Sequence, residues 1–239
     1  MSRKILIVLH QEASTPGRVG MKLLQKGCLL DIRRPALGDT LPENMSDYAG
    51  AIIFGGPMSA NDQQDYVRKE IDWISRPLKS GTPYLGICLG AQMLARQLGG
   101  KIFGFPDDRA EIGYYPIAST DDGTAYGPWP EKVYQWHREG FDLVKGSVGL
   151  ATSCGQFPHQ AFKYGETAFG IQFHPEVTQK MMHRWLAKAE HRLQLPGAKP
   201  REAHFEDRFI HDRSVDLWLD QFLDTWLASG QASVALAAE

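Results

Sequence analysis

Hydrophobic runs alternate with amphipathic segments along the first hundred residues. The runs are short and nearly continuous, which is typical of parallel strands that are buried on both faces. They predict four strands, at residues 4–9, 28–32, 51–54 and 84–87. One-sided apolar spacing predicts helices at residues 18–26, 62–78 and 91–98. Because alternating strands and helices require right-handed crossovers, we expect an α/β three-layer sandwich with a mostly parallel central sheet.

The pattern changes after residue 100, where glycine and proline recur among shorter β-like runs. These runs predict strands at residues 111–118, 132–137, 150–153 and 160–164. We expect them to be antiparallel and to cover one end of the sheet, within the same domain.

Two helices are predicted in the last quarter of the chain. The first extends from residue 178 to about residue 193, before a breaker with two prolines at 196–200. The second extends from residue 214 to 226, and its predicted buried face consists of Val215, Trp218, Leu219, Phe222 and Trp226. Residues 228–239 are predicted to fray.

Composition narrows the class of protein. The 239 residues are 43% hydrophobic and 23% charged, which is ordinary for a soluble globular protein. A net charge of −2 gives no electrostatic case for a nucleic-acid partner. Three widely spaced cysteines argue against a disulfide framework and against a zinc site, and we expect no metal or other cofactor. The first residues lead into a strand too short for a signal peptide or a membrane span, so we expect a cytoplasmic setting without membrane association.

Cys88 follows an apolar strand in the run Gly-Ile-Cys-Leu-Gly at residues 86–90. A strand, a tight turn and a helix in this order form the geometry of a nucleophile elbow. The flanking glycines allow unusual backbone angles and a close helix approach, and the helix N-terminus favours a thiolate. A lone cysteine is often only a small buried side chain, but the two glycines favour a nucleophile.

A second apolar strand, at residues 168–173, ends in His174-Pro175-Glu176. A thiolate nucleophile needs a base that takes up a proton and returns it to the leaving amine. His174 can be that base and Glu176 the carboxylate that orients it, because alternate residues of an extended segment point to the same side. A lone histidine is more often structural, but the combination with Cys88 favours catalysis.

Three segments carry a family resemblance: residues 54–57 (Phe-Gly-Gly-Pro), 86–92 and 172–176. In this order and spacing the chain resembles the class I (triad-type) glutamine amidotransferase family. It looks most like the stand-alone subgroup related to the GMP synthase glutaminase domain, which includes γ-glutamyl peptidases. The resemblance implies a flavodoxin-like fold with a catalytic domain at residues 1–195 and a C-terminal helical extension at 196–239, packed on that domain.

The resemblance also implies roles for residues around the triad. It assigns the Gly55-Gly56-Pro57 turn to the oxyanion hole, for which the N–H groups of Gly56 and Leu89 are the expected donors. Gly55 and Gln92 are expected at the substrate, with the Gln92 amide near its amino-acid end.

His137 matches a histidine of the segment that lines the glutamine pocket in relatives, but its neighbours Trp136, Arg138 and Glu139 differ from the family pattern. His137 is therefore either a substrate contact or an ordinary histidine at the end of a strand. This difference leaves open whether glutamine itself is the substrate.

The expected activity is hydrolysis of a γ-glutamyl amide, such as glutamine, through a Cys-His-Glu triad and a thioester. In one reading the released ammonia passes to a separate synthase subunit. In a second, the chain is a free-standing γ-glutamyl peptidase or hydrolase that needs no partner. A third reading is a non-catalytic regulatory subunit, and the intact Cys88, His174 and Glu176 argue against it.

Overall fold

Parallel strands and their covering helices account for most of the fold. The computed structural model describes the backbone of residues 3–236 and the side chains of residues 3–230. The described strands are β1 (Arg3–Val8), β2 (Cys28–Arg33), β3 (Gly50–Ile53), β4 (Tyr84–Ile87), β5 (Ile102–Gly104), β6 (Glu111–Pro116), β7 (Ala118–Ser119), β8 (Lys132–His137), β9 (Glu139–Phe141), β10 (Ser147–Thr152), β11 (His159–Tyr164) and β12 (Ala168–Ile171). The described α-helices are α1 (Gly17–Gln25), α2 (Asp65–Trp73), α3 (Ser75–Ser80), α4 (Leu89–Gln97), α5 (Gln179–Lys188) and α6 (Arg201–Leu236).

The central sheet has eight strands in the order β2-β1-β3-β4-β12-β11-β10-β7. Its first five strands are parallel, and the remaining three add on in antiparallel pairs. Ile5 and Ile7 of β1 pack with α1 and α6, whereas Leu6 and Val8 pack with α2 and α4. Because successive side chains of a strand alternate between its faces, β1 contributes to a core on each side of the sheet. The predicted three-layer α/β sandwich is confirmed.

The antiparallel region differs from the prediction in its placement. β10 and β11 extend the central sheet instead of covering its end, while β6 pairs with β8 in a separate two-stranded sheet. A further pair, β5 with β9, was not predicted, because three-residue strands are too short to show a period.

The predicted helix at residues 62–78 is two helices, α2 and α3, which meet at Ile74. Pro77 has no N–H to donate to the carbonyl of Trp73, four residues earlier, so regular helical bonding is interrupted there.

α6 is much longer than the predicted helix at residues 214–226. It begins directly after Pro200 and continues to Leu236, beyond the predicted start of fraying at residue 228, while residues 237–239 lie outside the described part of the chain. The predicted buried face is confirmed, since all five of its residues lie in the core. The division of the chain at residue 195 stays a prediction. No helix in the described residues is long and apolar enough to cross a membrane.

Candidate active site

The residues singled out by the sequence meet at one edge of the central sheet. Gly55, Cys88 and His174 each follow a parallel strand by one to three residues. The carboxyl ends of neighbouring parallel strands lie side by side, and ligands of open α/β sheets bind there.

Cys88 occupies a strained turn between β4 and α4. Its backbone has φ +51° and ψ −104°, in the half of conformational space that glycine normally occupies. The Cys88 N–H donates to the carbonyl of Ile171 at 2.8 Å, which fixes the turn to β12. Such strain persists only where the surrounding structure enforces it, as in active sites.

The two glycines that flank Cys88 allow α4 to pack closely on the sheet. A Cβ atom at Gly86 would overlap with the main chain of Gly90, and one at Gly90 would overlap with the carbonyl of Ile53. Both obstacles are backbone atoms that cannot rotate away. The elbow therefore requires glycine at both positions.

His174 and Glu176 form a buried pair beside this elbow. The imidazole Nδ1 lies 2.7 Å from the Oε1 atom of Glu176, and the two residues are 5% and 2% exposed. Nε2 is buried without a hydrogen bond, within the described residues. A Cβ atom added at Gly55 would lie 2.8 Å from Cε1 of His174 and 3.5 Å from Cβ of Cys88, so cysteine and histidine flank the same point.

The charges around His174 favour its protonated form. Burial of the ring opposes protonation, but the negative charges of Glu176 and of a Cys88 thiolate outweigh it and raise the pKa of His174 to about 10. The arrangement therefore supports a thiolate–imidazolium pair.

The segment that carries His174 and Glu176 is braced by α1 and α6. The Arg18 N–H donates to the carbonyl of Glu176 at 2.9 Å. The Arg208 guanidinium donates to the carbonyl of Val177 at 3.1 Å, and Arg18 and Arg208 share the carboxylate of Asp212. The polar start of α6, which the sequence pattern did not predict to be helical, therefore supports the triad segment.

The Gly55-Gly56 turn follows β3 and borders the cleft next to Cys88. Within the described residues, no acceptor is bonded to the N–H of Gly56 or of Leu89, the first residue of α4. The first N–H groups of a helix have no intrahelical partner. Both predicted oxyanion donors are therefore available.

A second buried pair, which the sequence analysis missed, supports this turn. His10 Nδ1 donates to the carbonyl of Gly55 at 3.1 Å, and Nε2 lies 2.8 Å from the Oε2 atom of Glu70. Both side chains have no exposed surface. The signal in the sequence was weak: a histidine directly after the first strand, and a glutamate on the apolar stripe of α2 between Val67 and Ile71.

Gln92 and His137, two of the predicted substrate residues, do not line the cleft. Gln92 is 3% exposed and donates its amide to the carbonyl of Glu139 at 2.8 Å, with the Oε1 atom of Gln172 at 3.3 Å. The Gln172 amide lies 3.7 Å from the Cys88 sulfur, and His137 Nδ1 donates to the same Glu139 carbonyl at 2.9 Å.

His137 belongs to a wholly buried polar network. Its Nε2 lies 3.1 Å from Gln135 and 3.3 Å from Glu111, and Gln160 joins Gln135 and Glu111 together. Buried polar groups cost stability unless they are hydrogen-bonded, so this network holds the strand around His137 rigidly.

A cleft of about 470 Å³ is lined by Cys88, His174 and Glu176. The loop after β1 and the Gly55-Gly56 turn form one wall, while α5 and the 3₁₀ turn that follows it form the other. Trp185 of α5 packs edge-on against the His174 ring at 5.0 Å. The described residues contain no group of three or more His, Cys, Asp or Glu side chains arranged to hold a metal ion.

Comparison with known proteins identifies the family. The model of the glutamine amidotransferase class-I family matches residues 22–191. The glutamine amidotransferase-like protein YfeJ of Salmonella typhimurium is 27% identical over 200 residues, which cover 80% of this chain and 82% of YfeJ. A glutamine-hydrolysing GMP synthase of Porphyromonas gingivalis is 34% identical over 148 residues, which cover 57% of this chain but only 26% of the synthase.

Structural similarity extends over nearly the whole chain. The crystal structure of a glutamine amidotransferase from Methylobacillus flagellatus superposes with a TM-score of 0.89 and covers 96% of both chains, at 24% identity. At this coverage the similarity in fold includes the C-terminal helix. The chain is an amide-hydrolysing enzyme that belongs to the class I glutamine amidotransferase family.

Proposed function

We propose that Cys88, His174 and Glu176 hydrolyse a γ-glutamyl amide through a thioester. The contact that carries this proposal is the 2.7 Å pair of His174 with Glu176, placed beside a cysteine held in a strained elbow. The thiolate attacks the γ-carbonyl carbon and forms a carbon–sulfur bond. The carbon–nitrogen bond then breaks as the His174 imidazolium donates its Nε2 proton to the departing amine.

The second half of the cycle uses the same groups in the opposite direction. Neutral His174 takes a proton from water, and the hydroxide oxygen attacks the thioester carbonyl. The carbon–sulfur bond breaks, the γ-carboxylic acid leaves and the thiolate returns beside a protonated His174. Glu176 keeps the Nδ1 proton in place throughout, so that Nε2 faces the reaction.

The N–H groups of Gly56 and Leu89 stabilise the negative charge that develops on the carbonyl oxygen in both steps. Gly55 keeps this wall open, because a side chain there would collide with His174. Gln92 and His137 support the site without lining the cleft. Both donate to the carbonyl of Glu139, and Gln92 also contacts Gln172, whose amide faces the Cys88 sulfur.

His10 and Glu70 position the oxyanion donor. The carbonyl of Gly55 and the N–H of Gly56 belong to the same planar peptide and point in opposite directions. His10 binds that carbonyl on the buried side, so the Gly56 N–H is directed away from it. Rotation of this peptide would aim a carbonyl at the developing negative charge.

We expect His10→Leu to lower kcat about 10- to 100-fold, with KM changed less than about threefold, since the lost interaction acts mainly in the transition state. His10→Asn should recover most of the rate, because its amide places a donor near the former Nδ1 atom. Steady-state kinetics measure both effects.

Alkylation of Cys88 by iodoacetamide provides the control, because this reaction builds no oxyanion. Its rate should match the parent in both His10 variants. A parallel loss of alkylation, or a leucine variant with unchanged kcat, would contradict the positioning role.

The proposed function has two forms, which differ in the amide that is hydrolysed. The match to a glutamine-hydrolysing GMP synthase over only 26% of that protein supports a subunit that hydrolyses glutamine and passes ammonia to a separate synthase. Three basic side chains, of Arg184, Lys188 and Arg192, line one wall of the cleft, and this cationic wall supports a larger substrate, as a γ-glutamyl peptidase requires.

A substrate panel distinguishes these forms. Glutamine and γ-glutamyl dipeptides are incubated with the purified protein, and glutamate and ammonia are quantified separately. We expect glutamate release that requires Cys88. Ammonia formed in proportion to glutamate identifies glutamine as the substrate, and glutamate formed from dipeptides identifies the peptidase. Absence of glutamate release from every γ-glutamyl amide would contradict the proposed function.

A further inference from the structure

One wall of the cleft carries a row of cations. Arg184 and Lys188 of α5 and Arg192 of the following 3₁₀ turn are spaced four residues apart and all line the cleft. Arg184 and Lys188 lie one turn apart on one face of α5, which ends at Lys188, and Arg192 lines the same cleft from the 3₁₀ turn. We call these three residues the basic row.

The basic row is not neutralised by neighbouring carboxylates. Among the described residues none of its three members forms an ion pair, and Arg184 donates only to the carbonyl of Ala13, at 2.6 Å. Glu12 on the opposite wall and Glu190 beside the row are exposed, and neither is paired with it. Arg184 and Lys188 are like charges four residues apart on α5, a spacing that destabilises a helix, and an anion bound in the cleft would offset this repulsion.

Arg192 connects the row to the nucleophile. Its side chain is partly buried, and burial together with the nearby charge of Arg138 lowers its pKa, while the negative charge of a Cys88 thiolate acts in the opposite direction. Arg192 lines the same cleft as Cys88. Arg138 is paired with Asp108 at 3.3 Å, whereas Arg192 forms no ion pair among the described residues, so its guanidinium is available to bind a carboxylate.

The row lines the cleft together with Trp185 and His174. His174 delivers the proton to the leaving nitrogen, and Trp185 packs edge-on against its ring. Lys188 follows Trp185 by three residues and lies on the same helical face. A group attached to the leaving nitrogen would thus pass Trp185 and reach Lys188 and Arg192. The cleft volume of about 470 Å³ falls in the range of pockets that hold drug-sized ligands.

We propose that Lys188 and Arg192 bind a carboxylate carried by the leaving amine, so that the substrate is a γ-glutamyl conjugate of an amino acid or peptide. This inference rests on the proposed thioester chemistry at Cys88. It gives the basic row a function in substrate binding, in addition to the chemistry of Cys88, His174 and Glu176.

Two substrates with the same γ-glutamyl half test the proposal. γ-Glutamylglycine has a carboxylate on its leaving amine, and γ-glutamylmethylamide lacks one. In Arg192→Gln and Lys188→Gln we expect kcat/KM for γ-glutamylglycine to fall about 10-fold or more, in line with loss of a charge-assisted hydrogen bond. The value for γ-glutamylmethylamide should stay within about twofold of the parent. Lys79→Gln is the matched control, because it removes the same kind of charge at an exposed site. Lys79 lies on α3, which leads into the amino end of β4, whereas the cleft lies at the carboxyl end of that strand.

Binding to the Cys88→Ala variant separates this inference from the chemistry. Titration calorimetry should show weaker binding of γ-glutamylglycine when Arg192→Gln is added to Cys88→Ala. If the parent turns over neither substrate, but Arg192→Gln still weakens the binding of γ-glutamylglycine, the proposed function is wrong and the carboxylate site is supported. Unchanged binding, or equal losses of kcat/KM for both substrates, overturns the carboxylate site.

Discussion

Cys88→Ala is expected to abolish γ-glutamyl amide hydrolysis, with a loss of at least about 10⁴-fold in kcat. His174 and Glu176 are paired with each other, so neither is expected to replace the Cys88 sulfur as the nucleophile. Ammonia and glutamate release measure the loss. A covalent adduct of about one γ-glutamyl group per chain, detected by mass spectrometry in the parent, should be absent from the variant.

The fold should survive this substitution. Cys88 is 6% exposed, and its sulfur accepts a weak hydrogen bond from the Gln172 amide at 3.7 Å. Alanine keeps the Cβ atom and adds no bulk to the elbow, so the unfolding midpoint should remain close to that of the parent. Cys154→Ala, at an exposed cysteine, is the matched control and should retain full activity. Undiminished turnover in Cys88→Ala would end the thioester mechanism.

The elbow could be predicted because its requirements are local. A nucleophile at a strand–helix junction needs glycine two residues before and after it, and the structure shows both glycines against backbone atoms. The same holds for His174 and Glu176, whose alternation on one segment brings the two side chains to one side. Short-range patterns report such geometry directly.

The support behind the site could not be predicted in this way. His10 and Glu70 are 60 residues apart, and only the order of β1, β3 and α2 around the sheet brings them together. The start of α6 was missed for a related reason. Arg208 and Asp212 lack an apolar period, and their value to the fold comes from contacts with Arg18 and Val177 in distant segments.

The placement of Gln92 shows a different limit. Gln92 lies one helical turn after Cys88 on α4, and this position led us to expect its side chain at the substrate. Sequence spacing does not show which side of the sulfur it occupies, and the structure places its amide against Glu139 and Gln172, away from the cleft. Proximity is therefore easier to predict from sequence than direct access to a ligand.

Glu176→Gln is expected to lower kcat about 10²- to 10⁴-fold, because an amide can donate to Nδ1 and so favour the wrong tautomer of His174. The shape of the side chain is nearly unchanged, so the variant should fold and still bind substrate. Glu131→Gln, at an exposed glutamate, removes the same charge away from the site and should leave kcat unaltered.

The pH profile of the same variant tests the electrostatic origin of the effect. In the parent, His174 stays protonated below its pKa of about 10, so acylation should decline only as the pH rises through that value and the proton for the leaving amine is lost. Glu176→Gln removes the largest attraction for that proton, while burial of the ring still disfavours it. The alkaline decline of kcat/KM should therefore move to lower pH. An alkaline limb at the parent position, with a parent-like kcat, would show that Glu176 does not control the proton on His174.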